Sequence, residues 1–359
     1  MQKDDVYFIK KTFKLAKGYE GFTSPNPLVG AVIVKNNKIV SVGVHKKAGL
    51  PHAEIEAIRK FKGNFEGATL YVNLEPCFHF GRTPPCVDEI IKNKIKRVVI
   101  ATLDPNPLVC GKSVEKLRRE NIEVKVGVLE KEAQKINEVF FKNMKKNMPF
   151  VVAKVAQSLD GKITTYKGIS KWITSSYARD LGRILRDKYD AVLVGVNTVI
   201  KDNPRLEGLK KSSFKVVLDP DFKIPTSSYL FKNKERLIIF TSLKWKEKIE
   251  KKFPSLKIIF LKEKEGLFSL KMVLKKLYRL GIASVFVEGG SFTLGKFFEE
   301  KLIDKFYFFI SFKLIGGKGA LTSLGAKGFA YLKNCPYLKN IEIKRLKKEL
   351  LISGYPDYF

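Results

Sequence analysis

The sequence has little histidine and cysteine, with three His and four Cys among 359 residues. Four cysteines in a chain of this length do not make a disulfide framework. Long apolar runs are also missing, since stretches such as 306–310 fall far short of the roughly 18 residues that a membrane span requires. The first five residues carry two acids and no apolar core, so we do not expect a secretory signal. These absences favour a cytoplasmic protein without a membrane partner.

Acidic residues are outnumbered by basic ones, 36 against 68, which leaves a formal net charge of +32. A balance this basic makes a nucleic-acid partner the first hypothesis to test. The charge is spread over both halves: residues 1–150 hold 27 bases and 16 acids (+11), and residues 151–359 hold 41 and 20 (+21). Lysine outnumbers arginine 56 to 12, without a long basic tail. Such a surface suits anionic small molecules better, so we expect no nucleic-acid partner.

The length predicts two domains, and both halves have an α/β pattern. In the first half we predict a hairpin over 28–44, strands at 69–73, 97–101 and 124–128, and helices at 6–17, 53–61, 86–92, 112–119 and 131–145. A polar stretch, Asn143 to Asn147, precedes Pro149 and marks the junction. We therefore divide the chain into domains 1–147 and 148–359.

The second half also alternates strands with helices. We predict strands at 151–156, 191–195, 215–218, 236–240, 258–261, 284–287 and 305–312, and helices at 176–187, 270–280 and 293–300. The Gly-x-Gly-x-x-Gly fingerprint of a dinucleotide-binding Rossmann unit is missing. If this half binds a nicotinamide cofactor, another fold must hold it.

The scarce histidines and cysteines cluster in the first quarter of the chain. His52, Cys77 and Cys86 offer one nitrogen and two sulfur ligands, which is the set that a catalytic zinc with an open position requires. Glu54 lies two residues from the histidine, where it can carry protons between a metal-activated water and a leaving amine. A His-x-Glu element followed by Pro-Cys pairs is typical of zinc deaminases. Here the cysteines are spaced Cys-x8-Cys, unlike the Cys-x2-Cys of nucleoside and tRNA deaminases.

The alternative is a structural zinc site or a pair of unligated buried cysteines. A structural site normally has four protein ligands, and His79 could be a fourth. Because His79 lies only two residues after Cys77, we interpret it as a substrate or loop contact instead. Cys110 and Cys335 stand apart from the cluster, and we expect both to be ordinary buried cysteines.

Several motifs now resemble one family. The string from Asn73 to Cys86, NLEPCFHFGRTPPC, occurs together with PNPLVG at 25–30 and DPNP at 104–107. The second half adds KVAQSLDG at 154–161, SKWIT at 170–174, DNP at 202–204, VEGG at 287–290 and KLIGG at 313–317. Across essentially the whole chain, this order resembles the bifunctional deaminase-reductases of riboflavin biosynthesis.

The resemblance implies a cytidine-deaminase-like three-layer domain followed by a dihydrofolate-reductase-like α/β domain. It implies Zn²⁺ and NADPH as cofactors, phosphorylated pyrimidine substrates, and a homo-oligomer. In the first domain, Glu54 would take a proton from water and return it as ammonia leaves. The family positions that line the substrate pocket correspond to Asn26, His45, Arg82, Asp104 and Asn106. Asn26 and Asn106 also lie in Asn-Pro turns, where such side chains often only cap the backbone.

In the second domain the resemblance implies reduction of a ribose to a ribityl chain by NADPH. The residues matching the family's cofactor contacts are Ala156, Trp172, Thr198, Asp202, Gly290, Ser291, Phe292, Thr293, Leu294, Gly295 and Lys296. Those matching its substrate contacts are Ser170, Arg186, Leu206 and Glu288, and Lys154 is the candidate for polarising the opening sugar. From the residues alone, the Gly289-Gly290 pair is typical of a tight turn and Trp172 of a core position.

Two positions depart from the family pattern. Leu209 stands where the family usually has an arginine for the substrate phosphate, so either Lys210 or Lys211 takes that contact or the reductase is impaired. Glu56 stands where the family commonly has histidine, and we expect little consequence because Glu56 is not a proposed ligand.

Three functional hypotheses follow from these observations. The first is a bifunctional enzyme that performs both steps, and the second is a member of the same family in which only the deaminase half is active. The third is an RNA-editing deaminase, which the net charge and the deaminase motif suggest. The Cys-x8-Cys spacing and the second domain count against the third hypothesis.

Overall fold

The computed structural model describes residues 4–78 and 84–358. It divides the chain into two compact units, Met1–Asn147 and Met148–Phe359. Among the described residues, no helix is both long enough and apolar enough to cross a membrane. Each unit is built on its own β-sheet, and each sheet carries one of the two sites considered below.

The first unit contains five strands and six helices in its described part. The strands are β1 (Gly30–Lys35), β2 (Lys38–Val44), β3 (Thr69–Val72), β4 (Arg97–Ile100) and β5 (Glu123–Val126). The helices are α1 (Asp5–Lys17), α2 (Ala53–Lys60), α3 (Cys86–Lys92), α4 (Lys112–Arg119), α5 (Glu130–Ile136) and α6 (Glu138–Lys146). Apart from the last two helices, these elements agree with the sequence-based prediction to within about two residues at each end.

The first sheet has the strand order β2-β1-β3-β4-β5. Strand β1 is antiparallel to β2 and β3, whereas β3, β4 and β5 run parallel. Helices α2, α3 and α4 pack on one face and α1 with α5 on the other, which makes three layers. Because both faces are covered, the central strands β1, β3 and β4 are buried and mostly apolar on both sides. The parallel strands β3 and β4 end at the same edge of the sheet, and the segments that follow them carry Cys77 and Asp104.

The single helix predicted over 131–145 was wrong, because the structure breaks it at Asn137 into α5 and α6. Asn137 has φ −104° and ψ 23°, outside the helical region. Its side chain is buried, with 2% exposure, and bonds to the backbone of Leu28. A hydrogen-bond partner distant in sequence therefore ends the helix, and periodicity alone could not reveal it.

The second unit contains nine strands and five α-helices in its described part. The strands are β6 (Phe150–Ser158), β7 (Ala191–Gly195), β8 (Phe214–Leu218), β9 (Leu237–Ser242), β10 (Lys257–Leu261), β11 (Ser284–Val287), β12 (Lys305–Ser311), β13 (Leu338–Arg345) and β14 (Glu349–Pro356). The helices are α7 (Ser176–Arg186), α8 (Val196–Asp202), α9 (Lys246–Lys252), α10 (Leu270–Arg279) and α11 (Ser291–Glu299).

The nine strands form one sheet in the order β10-β9-β8-β7-β11-β6-β12-β14-β13. All neighbouring pairs from β10 to β12 are parallel, whereas β14 is antiparallel to both of its neighbours, β12 and β13. Helices α10 and α11 pack on one face through residues such as Leu274 and Phe297. The sequence predicted the seven strands from β6 to β12 but gave no prediction for the hairpin, α8 or α9.

Candidate active sites

The first site lies where α2 and α3 begin beside the end of β3. His52 is the residue just before α2, Cys77 follows β3, and Cys86 opens α3. The ligand atoms of these three side chains all lie within 4.8 Å of one another. The His52 Nδ1 atom is 3.2 Å from the Cys86 Sγ and 3.5 Å from the Cys77 Sγ. The structure therefore brings together the three residues that the sequence proposed as metal ligands.

Electrostatics within this group favour a thiolate. The backbone N–H of Cys86 donates to the Cys77 Sγ at 3.2 Å. A hydrogen bond from the Cys86 thiol, with help from His52, lowers the pKa of Cys77 to about 4, although burial opposes the shift. Thiolates and imidazole are the ligands that Zn²⁺ prefers. Three such donors fit a catalytic zinc that keeps one position open for water.

Glu54 lies on the first turn of α2, with only 2% of its surface exposed. Burial raises the pKa of its carboxyl group to about 7. Its Oε2 atom has no hydrogen-bond partner in the described part of the chain, which is rare for a buried carboxylate oxygen. A missing water, metal-bound group or substrate is the ordinary explanation for such an atom, so the donor set and Glu54 together fit the metal.

A pocket of about 520 Å³ is lined by His52, Glu54 and Cys77. Of the predicted substrate contacts, Asn26, His45, Asp104 and Asn106 line it. The Asn26 amide nitrogen lies 3.0 Å from the His45 Nε2, and the His45 Nδ1 lies 3.0 Å from the carbonyl oxygen of Pro51. The remaining prediction, Arg82, lies outside the described residues, as does His79.

Burial shifts the pKa values of two ionisable side chains in the pocket wall, His45 and Asp104. Burial lowers the pKa of His45 and so favours the neutral imidazole. Burial also raises the pKa of Asp104 to about 6. The Asp104 Oδ1 accepts the Asn106 N–H at 2.8 Å, and the Asn106 Oδ1 accepts the Leu108 N–H at 3.0 Å. Asp104 and Asn106 thus cap their own turn while facing the pocket.

Sequence reasoning missed the groups that hold this pocket in shape. Glu75 is buried, and its carboxylate accepts the N–H groups of Asp104, Gly111 and Ser113. Phe140 and Met144 of α6 also line the pocket. Glu75 stood in the quoted motif beside Cys77, but the motif could not reveal its partners 29 to 38 residues away.

Glu56, the departure from the family pattern, serves as a structural link. Its carboxylate accepts the N–H of Val44 at 2.7 Å and pairs with Lys46 at 2.9 Å and Lys60 at 3.0 Å. These contacts join α2 to the end of β2. Glu56 is not one of the three clustered ligands.

The second site is a cleft of about 590 Å³ at the ends of β7 and β11. Predicted cofactor or substrate residues that line it are Ser170, Thr198, Asp202, Glu288, Gly290, Ser291, Phe292, Thr293 and Lys296. A Cβ atom added at Gly195 or at Gly289 would lie 2.6 Å from an atom of Thr293. These glycines let the start of α11 approach β7 closely, where its free N–H groups can face a phosphate. The cleft therefore fits a nicotinamide dinucleotide without the Rossmann fingerprint.

Three charged side chains form a buried cluster beside this cleft. Arg186 donates to both oxygens of Glu288, at 2.5 and 2.9 Å, and to the carbonyl oxygen of Glu207 at 2.9 Å. The Lys154 Nζ lies 3.9 Å from the Glu288 Oε2. Burial lowers the pKa of Lys154. Burial alone would raise the pKa of Glu288, but the charges of Arg186 and Lys154 lower it to about 2.

Other predicted residues of the second half do not line the cleft. Leu206 and Leu294 are buried in the two cores of this unit, and Gly295 packs against Ala326. Ala156 lies on β6 beside Phe309. Trp172 is 60% exposed, with the Arg179 guanidinium 4.2 Å from its ring centre, so it is not the core residue that its chemistry alone suggested.

Lys210 and Lys211, the two lysines that could replace the family arginine, have different surroundings. The backbone N–H groups of Leu209, Lys210 and Lys211 all donate to the Asp187 carboxylate. The Lys211 ammonium group pairs with Asp190 at 3.1 Å, whereas Lys210 is exposed. Of the two lysines, Lys211 is thus held in an ion pair, and Lys210 is exposed to solvent.

The expectation that Cys110 and Cys335 are buried was wrong. Cys110 is exposed and Cys335 is half-buried. Both lie in irregular segments, where no packed helix or strand face covers them. Their spacing had carried no information about exposure.

Comparison with known proteins assigns a class to each half. Residues 2–102 match the model of the cytidine and deoxycytidylate deaminase zinc-binding region, and residues 149–352 match that of the RibD C-terminal domain. The first half is thus a cytidine-deaminase-like zinc domain and the second a reductase domain of the RibD type.

Full-length relatives agree with both matches. The riboflavin biosynthesis protein RibD of Aquifex aeolicus is 46% identical, over 97% of each chain, and that of Bacillus amyloliquefaciens is 39% identical, over 98% of this chain and 96% of the relative. The solved structure of Acinetobacter baumannii RibD superposes with a TM-score of 0.88 at 35% identity, covering 98% of this chain and 99% of that one. A Thermotoga maritima structure described as a diaminohydroxyphosphoribosylaminopyrimidine deaminase/5-amino-6-(5-phosphoribosylamino)uracil reductase gives 0.86 at 38% identity, with the same coverage.

The chain belongs to the RibD family of riboflavin biosynthesis proteins. It is a bifunctional deaminase and reductase, with zinc and NADPH as the cofactors of its two halves. The fold agrees with the expected cytidine-deaminase-like and reductase α/β architecture.

Proposed function

We propose that the chain catalyses two successive steps of riboflavin biosynthesis. The first is hydrolytic deamination of 2,5-diamino-6-(5-phosphoribosylamino)pyrimidin-4-one. The second is NADPH-dependent reduction of the ribosyl group of 5-amino-6-(5-phosphoribosylamino)uracil to a ribityl chain. The observation that carries the proposal is the unpartnered Glu54 oxygen in a pocket lined by His52 and Cys77, two of the three clustered ligands. The Thermotoga maritima relative bears both activities in its description.

In the deaminase half, His52, Cys77 and Cys86 would hold the zinc ion. Zinc, when bound, supplies a Lewis acid that makes water a better nucleophile at neutral pH. Glu54 takes a proton from the attacking water at its carboxylate and returns it to the amino group. The bond from oxygen to the ring carbon forms, the carbon–nitrogen bond breaks, and ammonia leaves. A carboxyl group with a pKa near neutrality suits this exchange in both directions.

The pocket wall recognises the pyrimidine and its ribose phosphate. Asn26 and Asp104 offer amide and carboxyl groups to the edge of the ring, while His45 and Asn106 complete the polar lining. Arg82, outside the described residues, remains a proposed substrate contact. A pocket of about 520 Å³ with both polar and apolar lining residues has room for a small pyrimidine.

In the reductase cleft, Gly290, Ser291, Phe292, Thr293 and Lys296 at the start of α11 receive the cofactor together with Thr198 and Asp202. NADPH, when bound, supplies the hydride. Lys154 donates a hydrogen bond from its ammonium group to the sugar oxygen that gains a proton. Glu288, which is held by Arg186, fixes the position of that ammonium group, and Ser170 completes the substrate side.

The deciding experiment is a coupled assay on zinc-loaded protein with the diaminopyrimidine ribonucleotide and NADPH. Ammonia release should precede NADPH oxidation, and NADH should be the poorer reductant. Glu54→Gln should lower ammonia release by about 10²–10⁴-fold, because it removes the proton carrier. The same variant should still oxidise NADPH when the deaminated intermediate is supplied.

Two results would contradict the proposal. Ammonia release by Glu54→Gln at the wild-type rate would exclude the proton transfer described above. Failure of the wild type to oxidise NADPH with the supplied intermediate would leave only the deaminase half active, as the departure at Leu209 allows.

We further propose that the chain forms a homo-oligomer through β13. This strand is an outer edge of the nine-stranded sheet, and Ile341 and Ile343 on it are 52% and 67% exposed. An exposed edge strand offers unpaired backbone groups to a second strand, and a second copy of this chain is the simplest occupant. Light scattering during gel filtration should give a dimer or larger assembly, and Ile343→Lys should reduce it to monomer. A monomeric wild type would refute this proposal.

Small phosphorylated metabolites in the cytoplasm are the partners that we propose for the chain, without nucleic acid or membrane. The even distribution of lysine supports this choice, since neither half carries a long basic tail.

A further inference from the structure

Asn137 lies between α5 and α6, at a point where the amphipathic pattern alone predicts an unbroken helix. Its side chain is 2% exposed. A buried amide that interrupts a helix adds no apolar contact to the core, and it needs polar partners to offset its burial. Its partners therefore indicate why the break exists.

Both polar atoms of the Asn137 side chain bond to one residue. The Leu28 N–H donates to the Asn137 Oδ1 at 2.8 Å, and the Asn137 Nδ2 donates to the Leu28 carbonyl oxygen at 3.0 Å. The Asn137 side chain thus pairs with the Leu28 backbone as a residue on a neighbouring β-strand would, although the two residues are 109 positions apart. Asn73 adds a second support, since its amide donates to the same carbonyl at 2.8 Å and accepts the Gly30 N–H at 2.7 Å.

The clamped residue lies within a wall of the deaminase pocket. Pro25, Asn26, Pro27 and Val29 on either side of Leu28 line the pocket. The carbonyl oxygen of Val29 accepts the His45 N–H at 2.9 Å. Fixing Leu28 thus fixes the backbone on which Asn26 and His45 meet.

The break also directs α6 toward the same pocket. Phe140 and Met144, three and seven residues beyond Asn137, line it from α6. The three- and seven-residue spacing puts both side chains on one face of that helix. Asn137 therefore positions two parts of the pocket lining, the loop 25–29 and one face of α6.

We propose that Asn137 is a positioning residue for the pyrimidine substrate of the deaminase half. It acts through the Leu28 backbone on Asn26 and His45, and through the helix break on Phe140 and Met144. The proposal rests on the deaminase function proposed above. The two side-chain hydrogen bonds of Asn137 hold the Leu28 backbone and not the three clustered ligands or Glu54, so Asn137 should govern substrate binding more than proton transfer.

The test compares Asn137→Leu, Asn137→Asp and the wild type in the ammonia-release assay. Asn137→Leu loses both bonds to Leu28, and we expect its KM for the pyrimidine to rise by about tenfold or more, with kcat much less affected. Asn137→Asp retains the acceptor for the Leu28 N–H and should give an intermediate KM. Zinc content and NADPH oxidation with supplied intermediate should match the wild type in both variants.

Ile95→Ala is the control for lost stability. Ile95 is 1% exposed in the same unit but precedes β4, at the end of the sheet opposite the pocket. It should sensitise deaminase activity to heat without raising KM. A rise in KM equal to that of Asn137→Leu would show a general stability effect and overturn the proposal.

A second readout is independent of catalysis. Amide hydrogen exchange in residues 25–30 should be faster in Asn137→Leu than in the wild type and the Ile95→Ala control. Unchanged exchange, or an unchanged KM in both Asn137 variants, would overturn the proposal. A wild type that releases no ammonia would instead refute the proposed deaminase function, while the exchange result would still decide whether Asn137 holds the loop.

Discussion

Glu288 keeps a negative charge in a largely buried position, with 12% of its side chain exposed. Its two charged neighbours, Arg186 and Lys154, are also largely buried, so each partner offsets the cost of burying the others. The two cations are not equivalent, since Arg186 donates hydrogen bonds to both Glu288 oxygens, whereas the Lys154 Nζ lies 3.9 Å from the Glu288 Oε2. Arg186 is consequently the closer partner of Glu288, and Lys154 the more distant one.

We expect Glu288→Gln to change how the stability of the second unit depends on pH. The pKa of Glu288 falls from its ordinary value of 4.5 to about 2 on folding, so its ionised form stabilises the unit above pH 4.5. That stabilisation is lost as the pH falls from 4.5 toward 2. The variant should have a lower urea midpoint near pH 7 and a shallower decline between about pH 6 and about pH 3.5.

Tryptophan fluorescence can follow this unit alone, because Trp172 and Trp245 are the two tryptophans of the chain and both belong to it. Glu247→Gln, an exposed substitution on α9, is the matched control and should behave as the wild type. A Glu288→Gln profile parallel to that of the wild type would contradict the expectation.

The secondary-structure elements agree with the sequence-based prediction where the local sequence pattern determines the conformation. They differ from it where contacts with distant residues determine the conformation. Helices α3 and α4 and strands β7 and β11 agree with the prediction at both ends, since their apolar faces and boundaries are local. The α5–α6 break depends on Leu28, and the hairpin β13–β14 depends on pairing with β12. In β13 the exposed edge position removes the alternating burial that identifies a strand.

The same reasoning applies to the sites. The three clustered ligands and Glu54 were predictable because their chemistry is rare in this sequence and their spacing is specific. Glu75, Phe140 and Met144 were not, because their contribution depends on tertiary contacts that leave no local signal.

Helix α1 is attached to the sheet through its first residue. The Asp5 carboxylate accepts hydrogen bonds from Arg97 at 2.8 and 3.0 Å, from Lys125 at 2.8 Å and from Tyr71 at 3.0 Å. The hydrogen bonds from Arg97 contribute most to lowering the pKa of Asp5 well below its usual range. The stabilisation is therefore present above about pH 4 and is lost as the pH falls.

We expect Asp5→Asn to destabilise the first unit by about 1 kcal/mol at neutral pH, because it removes the charge shared by Arg97 and Lys125. Deaminase activity remaining after heating should fall, while reductase activity in the same samples should not. Glu115→Gln, which removes an exposed pair with Arg119, should leave both unchanged. Equal heat sensitivity of Asp5→Asn and the wild type would show that the network contributes nothing measurable.

At the scale of the whole molecule, two units with separate cores each carry a positive balance, +11 and +21 by the counts above. Many of these charges have local partners, such as Lys244 with Asp221 and Glu263. A nucleic-acid surface would instead require cations aligned along one groove or helix. The net positive charge therefore produces a diffuse electrostatic field that attracts anionic metabolites to both halves.

We expect RNA binding to be weak, roughly micromolar or weaker at physiological salt, and lost steeply as salt rises. Unrelated RNA should not inhibit ammonia release from the pyrimidine ribonucleotide at that salt. Filter binding across a salt series and a competition assay measure the two quantities. Nanomolar affinity, or inhibition at equimolar RNA, would restore the RNA-editing hypothesis.

The strand order of the second sheet has a consequence for synthesis on the ribosome. Strand β6 is the first strand of its unit to emerge, yet its neighbours in the sheet are β11 and β12, which begin at Ser284 and Lys305. At about 5–20 residues per second, β6 waits several seconds or more for either partner. The deaminase half is translated completely before that interval, so it can fold while the apolar β6 segment is still exposed. An apolar strand without its sheet partners is therefore exposed late in translation, between the completion of the two halves.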